Sequence, residues 1–441
     1  MSIRHFTLLL TILTIPCASY GQYNDTFLVR EVDSLKQQIR LLQQELHALR
    51  LQTASSTYLD EDIEHLEERF ERRIQDLEKK IGAVSRAGAP TAFNPRTTVF
   101  TNVAARIDDQ PTTDAEGKIR IDDRPFLRSV EVDLRAPVDP YAEAVAILAV
   151  EDKAGAGFEV DPEEVYGILK RLPILETAPL GLKVKVGKYR AALGVNNRLH
   201  LHDVPWTTRP LVVSKYLGTE HGDFFESGYN PIGIDFDFFL PSPIPGSTLE
   251  MNLDVVRAGE LALSEERGAT QPAYLGHLNW FKDWNNEHFL TLGLSGYYER
   301  ARAVPRTRLL GADITYKWRP AERGSFRSFV AGGELFVADH QFESGRRRNP
   351  VGWFTYAQYQ LSWWLYIGAR FDRVEEPDDP SLVTSAWSGY LSYYTSEFLR
   401  LRFGYDHRKS DLLGSTPSNT LLFEINFVFG SHPVEPYWVN R

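Results

Sequence analysis

The second two-thirds of the chain, from about residue 96 to residue 429, consists of one short alternating segment after another. In Thr248–Arg257, apolar residues occupy every second position, and polar residues such as Glu250 and Asp254 lie between them. Successive side chains of a strand point to opposite faces, so each segment has one apolar and one charged face. The segments run about 9–13 residues, enough to cross a bilayer at a tilt. The pattern predicts an all-β transmembrane antiparallel barrel, apolar outside and wet and charged inside.

Composition agrees with this prediction. The chain has 441 residues, enough for a large barrel and an additional domain, and its net charge of −10 argues against a nucleic-acid partner. After the N-terminal segment, no stretch approaches the length of apolar sequence that a spanning helix needs. The 20 Tyr, 25 Phe and 9 Trp are enough to supply the aromatic girdles that barrels place at membrane interfaces, with outer-membrane lipid as the surrounding partner.

The N-terminus has the pattern of an export signal. Arg4 precedes the apolar run Phe6–Pro16, and small residues follow up to Gly21. This predicts a signal peptide over residues 1–21 with cleavage after Gly21. Cys17 leaves a lipoprotein signal open, although the residue before it fits that signal poorly. If Cys17 is removed, the mature protein has no cysteine and needs no disulfide.

Residues 22–87 have the heptad spacing of a coiled coil, with β-branched residues at a and leucines at d in the first half. The apolar positions are Leu28, Val32, Leu35, Ile39, Leu42, Leu46 and Leu49, then Ile63, Leu66, Phe70, Ile74, Leu77, Ile81 and Val84. The pattern predicts a periplasmic α-helical coiled coil, either a hairpin within one chain or a stalk between chains. A stalk favours a homo-oligomer and could touch peptidoglycan or a periplasmic partner. The residues at a and d favour dimers in model peptides, but barrels of this kind are usually trimers, and a trimer is the expectation. Residues 88–95 form a small-residue linker.

Sixteen strands are predicted, an even number as in single-chain bacterial barrels. Their approximate bounds are 96–108, 125–136, 140–151, 157–171, 181–191, 229–240, 248–257, 274–283, 288–300, 307–319, 326–338, 352–361, 363–373, 384–394, 398–408 and 419–429. Connections that follow even-numbered strands are mostly short, and most of those that follow odd-numbered strands are long. Outer-membrane barrels have short periplasmic turns and long external loops, so the barrel is predicted to span residues 96–429, with a periplasmic tail over 430–441.

Aromatic residues concentrate at the predicted periplasmic ends of the strands, as expected of an interfacial girdle. They are Trp280, Trp284, Trp318, Trp363, Trp364, Tyr393, Tyr394, Phe398 and Phe429.

The third external loop, residues 192–228, is too long for a turn and too rich in Leu, Val, Trp and Phe to lie exposed. We expect it to fold into the lumen and narrow it. Its charged residues would then set selectivity, with Arg198, Arg209 and Lys215 opposing Asp203, Glu220 and Asp223.

The same loop carries a histidine group that suits a borderline metal such as zinc. His200 and His202 are spaced to share one face of an extended segment, and His221 lies further along, with Asp203 and Glu220 beside them. Two interpretations stay open at this point: a zinc site, or histidines that hydrogen-bond the barrel wall. No other cofactor is expected.

The predicted lumen-facing residues carry both signs of charge. The acidic ones are Asp235, Asp237, Glu250, Asp254, Asp313 and Asp372, and the basic ones are Lys183, Lys185, Lys317, Arg370, Arg400 and Arg402. Opposed charges can create a transverse field that orients water and ions in a pore, or can simply fill a wet interior.

The layout resembles bacterial outer-membrane porins, and most of all the phosphate-selective porin O/P group. The resemblance covers about residues 93–437. Phe93-Asn94-Pro95, which opens the first strand, is similar to strand starts in that group. A second group, of porin-like barrels with mostly unassigned substrate and sometimes linked with zinc supply, is resembled by Glu163-Glu164-x-Tyr166, Gly187-Lys188-Tyr189-Arg190, Gly194, Asn197, His200-x-His202, Arg209-Pro210-Leu211 and His432-Pro433-x-x-Pro436-Tyr437. A phosphate channel is implied to carry a basic ladder, whereas this sequence mixes acidic residues throughout.

These patterns predict a porin of the bacterial outer membrane that passes small hydrophilic solutes or ions by passive diffusion. The alternatives are a barrel that binds or takes up zinc, and a structural envelope scaffold anchored by its coiled coil. An enzyme is not expected, since the sequence has no G-x-S-x-G, no HExxH and no P-loop.

Overall fold

The computed structural model describes residues 94–430 except 110–111, 114–118, 122–124, 154–156, 172–177, 201, 219–227, 265–270, 301–305, 321–325, 343, 397 and 413–414. The predicted signal peptide, coiled coil, most of the linker and the tail after Gly430 lie outside the described residues. The trimer and the periplasmic partner therefore stay predictions.

Sixteen long antiparallel strands form one closed sheet. They are β1 (Arg96–Asp108), β2 (Pro125–Pro137), β3 (Ala142–Lys153), β4 (Gly157–Leu169), β5 (Lys183–Lys188), β6 (Ile232–Leu240), β7 (Ser247–Arg257), β8 (Pro272–Trp284), β9 (His288–Arg300), β10 (Arg306–Trp318), β11 (Phe329–Gln341), β12 (Val351–Ser362), β13 (Leu365–Glu375), β14 (Val383–Ser396), β15 (Leu399–Ser410) and β16 (Ser418–Gly430). Each strand pairs with its neighbours in sequence, and β1 pairs with both β2 and β16, which closes the ring.

The barrel prediction is confirmed, with strand bounds within three residues of those expected. Three short strand pieces lie in connections between long strands, namely Thr112–Thr113, which pairs with Ile119–Ile121, and Arg347–Arg348. Three short 3-10 or π turns, at Pro179–Gly181, Asn196–Arg198 and Val213–Leu217, are the helical elements of the described part. No helix among the described residues is long and apolar enough to span a membrane.

The two faces of the wall differ as the alternation requires. On β7, Leu253 and Val255 are about two-fifths exposed on the outside, while Asn252 and Asp254 are buried on the inside. The outer face repeats this apolar character on other strands, as at Leu310 and Leu294. An apolar outer surface around a polar inner surface is the arrangement of a barrel that sits in lipid.

Aromatic residues cluster at the end of the barrel where even-numbered strands finish. Trp318 is opposite His288 on one side and Phe329 on the other, and Phe429 is opposite Val99. Tyr394 is an exception to the predicted girdle. It is buried inside the barrel and packs edge-on against Tyr366 with ring centroids 5.3 Å apart. Its neighbour Tyr393 faces outward, because consecutive residues of a regular strand point to opposite faces.

Candidate functional site inside the barrel

The segment after β5 passes through the interior of the ring. We call residues 189–217 the internal segment. The N–H of Gly194 donates to Ser295 Oγ on β9 at 3.0 Å, and the N–H of Leu211 donates to Asp372 Oδ1 on β13 at 3.0 Å. The ring of His202 stacks on Phe100 of β1 at 3.9 Å between centroids. Contacts with strands on so many sides place the internal segment within the barrel.

Charged wall residues satisfy the main chain of this segment. Glu334 Oε1 on β11 accepts from the N–H groups of Val195 at 2.9 Å and Asn196 at 2.7 Å. Basic wall residues bond the carbonyl groups of the segment. Arg400 donates to the carbonyl of His202 at 2.8 Å. Similarly, Arg402 donates to Val204 O, and Arg370 donates to the carbonyls of Thr208 and Arg209. Buried main-chain groups need such partners, since an unsatisfied one costs about 1–3 kcal/mol.

The segment also packs an apolar core against the inner wall. Trp206 is 1% exposed and contacts Tyr356, Phe354 and Tyr390 edge-on, with centroids 4.9, 5.9 and 6.5 Å apart. Val212, Val213 and Tyr216 are fully buried in the same core, which is formed by wall and segment residues together. Two inward glycines make room for the segment. A Cβ at Gly404 would overlap Thr207, and one at Gly352 would lie 2.6 Å from Val212 Cγ2.

A second part of the interior remains accessible to solvent. Arg198 is exposed although the residues on either side of it are mostly buried. Wall residues on this side carry both charges, with Lys183 3.6 Å from Asp237 and Lys185 3.8 Å from Asp235. The side chains of both lysines are partly exposed, Lys183 to about half. The interior therefore contains a wet side next to a filled side.

The predicted lumen residues divide between these two sides. Asp372, Arg370, Arg400 and Arg402 are buried against the internal segment, and Arg209 in the segment donates to Leu199 O at 2.8 Å. Lys215 contacts Glu376 at 2.5 Å. On the other side, Asp235, Asp254 and Asp313 are buried in the inner wall, Glu250 accepts from Asn279 at 3.4 Å, and Lys317 lies over the ring of Phe289. Glu220, His221 and Asp223 lie outside the described residues.

His200 and His202 meet carboxylates of the wall. His200 Nε2 is 2.7 Å from Glu164 Oε1, and its Nδ1 is 3.2 Å from Glu163 Oε2. Glu131 Oε2 on β2 lies 3.2 Å from the Nδ1 atoms of both histidines. His202 Nε2 is 3.6 Å from Asp203. We call these six side chains the histidine–carboxylate cluster; they belong to His200, His202, Asp203, Glu131, Glu163 and Glu164.

Electrostatics favour positive charge at the cluster. Burial by itself would lower the pKa of His200, but Glu163 and the other carboxylates outweigh burial and raise this pKa well above its usual range. The pKa of His202 is raised in the same way, burial being outweighed mainly by Glu131 and Asp203. The cluster can therefore hold either protonated imidazoles or a cation.

Sequence analysis missed the wall members Glu131, Glu163 and Glu164 as site residues. Glu163 and Glu164 are consecutive, yet both reach His200. The register between β3 and β4 shifts at Ile147, where Glu164 is opposite Ile147 and Pro162 is opposite Leu148. This β-bulge leaves Glu163 without an opposite residue and turns it inward. Two adjacent acidic residues within an alternating strand are the sequence signal of such a bulge.

Comparisons with known proteins add one sequence relative and several solved structures. No protein-family model matches the chain. An uncharacterized protein of Aquifex aeolicus (strain VF5) is 24% identical over 356 residues, which cover 70% of this chain and 70% of that protein.

Among solved structures, an anion-selective porin from Comamonas acidovorans has a TM-score of 0.49 and 10% identity, over 76% of this chain and 99% of that one. The outer membrane channel DcaP of Acinetobacter baumannii has a TM-score of 0.49 and 9% identity, over 78% and 100%. Pseudomonas putida OprB has a TM-score of 0.49 and 11% identity, over 76% and 94%. At this level of similarity, the function of the present chain has to be argued from its own residues.

Proposed function

We propose that this chain is an outer-membrane porin, a passive diffusion channel for small hydrophilic solutes or ions. The third external loop (192–228) acts as its constriction, and the internal segment from residue 192 onward supplies most of the described part of that loop. The observation that carries the proposal is the exposed Arg198 inside a closed ring of transmembrane length. A charged side chain that reaches solvent within the ring implies a water-filled space beside the internal segment, and this space supports a passage there.

The charges of that passage predict weak rather than strong ion preference. Arg198, Lys183 and Lys185 are opposed by acidic residues of β6 to β10 such as Asp237 and Asp313. Mixed rings let both signs of ion enter, since neither is excluded by a uniform field. Many of the other arginines inside the ring already bind the main chain of the internal segment, so they contribute less to the passage than their number suggests.

The test is single-channel recording in a planar bilayer under a salt gradient, with the purified and folded chain. We expect steady current steps. Arg198→Gln removes a positive charge from the passage and should shift the reversal potential toward cations, with about a two-fold change in the permeability ratio. Arg308→Gln is the matched control, because Arg308 lies on the outer face over the ring of Tyr298 and should leave selectivity unchanged.

The structural alternative makes the opposite prediction. The apolar core between the internal segment and the wall is extensive, and a scaffold barrel could be closed by it. A correctly folded chain that never conducts would contradict the channel and favour the closed scaffold. A conducting chain in which Arg198→Gln and Arg308→Gln behave alike would contradict the placement of the passage.

A further inference from the structure

The histidine–carboxylate cluster places two imidazoles and several carboxylates side by side in a buried site. Glu131 is 3% exposed, His202 7% and His200 9%. One ligand atom from each of these three residues lies within 4.8 Å of the others. Two imidazoles and several carboxylates are a donor set that suits zinc and neighbouring transition metals rather than the hard, all-oxygen cations.

The distances fit ligands of one metal ion. Glu131 Oε2 lies 3.2 Å from His200 Nδ1 and 3.2 Å from His202 Nδ1, and Glu163 Oε2 lies 3.2 Å from His200 Nδ1. In a tetrahedral site with metal–ligand bonds of about 2.0–2.1 Å, neighbouring ligand atoms are about 3.3–3.4 Å apart. Glu131 Oε2 and one nitrogen of each histidine are therefore close enough to share one ion, and Glu163 Oε2 approaches the same face of His200.

Two of these atoms have no hydrogen bond to explain their burial. Among the described residues, neither Glu131 Oε2 nor His202 Nδ1 has a partner with hydrogen-bond geometry, although they lie within 3.2 Å of each other. Buried polar atoms are almost always bonded, because an unsatisfied one carries the full cost of leaving water. A cation between them would satisfy both.

The outer contacts orient the imidazoles for metal binding. With Nδ1 as the ligand atom, the Nε2–H of His200 donates to Glu164 Oε1 at 2.7 Å. The Nε2 of His202 faces Asp203 Oδ1 at 3.6 Å. Carboxylates on the far nitrogen of metal-bound histidines fix the tautomer and raise ligand basicity. Arg190 pairs with Glu163, so three wall carboxylates and one guanidinium leave negative charge for a divalent cation to balance.

We propose that Glu131, Glu163, His200 and His202 bind one divalent transition-metal ion of the zinc class, with Glu164 and Asp203 orienting the histidines. Because two ligands lie in the internal segment and two lie on β2 and β4, the ion fastens the segment to the wall. This binding site does not depend on whether the barrel conducts.

The test uses the full chain, folded and purified in detergent, stripped with a chelator and then titrated with Zn²⁺ by calorimetry and with Co²⁺ by visible absorption. We expect one ion per chain, and visible Co²⁺ bands of a four-coordinate site that Zn²⁺ abolishes. His202→Ala and Glu131→Gln should each weaken binding by about 100-fold or more. Glu164→Gln should weaken it by about 10- to 100-fold, as removal of an orienting partner does.

His277→Ala is the matched control, because His277 is an equally buried wall histidine that bonds Ser295 at 2.8 Å, away from the cluster. The affinity of the His277→Ala variant for Zn²⁺ should equal that of the unaltered chain. Resistance of the barrel to unfolding in detergent at room temperature shows that each variant is folded. If His202→Ala does not fold, the near-isosteric Glu131→Gln alone tests the binding site. Absence of binding by the folded chain, or an affinity that Glu131→Gln leaves unchanged, overturns the proposal.

Discussion

The wall and the internal segment are held by different bonds. In the wall, main-chain hydrogen bonds join strands that follow one another in the chain, and the pair β1 and β16 closes the ring. In the internal segment, main-chain groups bond instead to side chains of remote strands, such as Ser295, Glu334 and Asp372. The wall therefore depends on a repeated pattern that many sequences satisfy, whereas the segment depends on individual residues.

The largest expected effect comes from removing the segment altogether. Replacing residues 192–228 with a short Gly/Ser turn should leave the wall folded, since β5 and β6 pair directly with each other. Conductance should rise several-fold, because the filled side of the lumen opens to water. Single-channel recording measures it. A deletion variant that no longer forms a barrel would show that wall and segment are not separable as described.

A smaller effect is expected from removing a single hydrogen-bond acceptor of the wall. Glu334 Oε1 accepts from Val195 N and from both the N–H and the side-chain amide of Asn196. Glu334→Leu should strand these donors at about 1–3 kcal/mol per group, so hydrogen exchange of segment amides near residue 195 should speed up while wall amides stay protected. Glu334→Gln keeps an acceptor oxygen, so the segment amides near residue 195 should exchange more slowly in this variant than in Glu334→Leu. Equal acceleration throughout the wall would contradict the comparison.

The smallest effect tests the close approach of segment to wall. Gly352→Ala places a Cβ against Val212 and should lower stability by about 1–3 kcal/mol, the usual cost of overpacking. Gly389→Ala and Gly296→Ala are matched controls on other wall strands, because a Cβ at either position has no atom within 4 Å. Thermal unfolding in detergent compares the three. Equal melting temperatures would show that the segment does not press against β12.

The same contrast explains what the sequence could predict. Strand bounds followed from alternation and turns, and even the shortest strand, β5, was located within three residues. The length and apolar composition of residues 192–228 predicted a position inside the barrel, but not their partners. Arg402 alternates like any lumen residue, and nothing local indicates that it donates to Val204 O.

The histidine–carboxylate cluster shows the limit most clearly. His200 and His202 could be selected because they stand two residues apart in an unusual loop. Glu131 could not, because it is one of two inward acidic residues on its alternating strand, 69 positions or more away along the chain. Its role depends on ring closure and on the path of the internal segment, both of which are non-local. Tyr394 failed as a girdle residue for a local reason, since adjacent strand residues face opposite sides.

The position of the internal segment is the central claim, and a disulfide tests it most directly. Val212 Cβ lies 3.2 Å from where a Cβ at Gly352 would stand, near the range that disulfides bridge. Gly352→Cys with Val212→Cys, in a chain carrying Cys17→Ser, should cross-link in the folded barrel and change its electrophoretic mobility until reduced. Gly389→Cys with Val212→Cys should not. Cross-linking of the control pair alone, or of neither pair, would contradict a segment packed within the lumen.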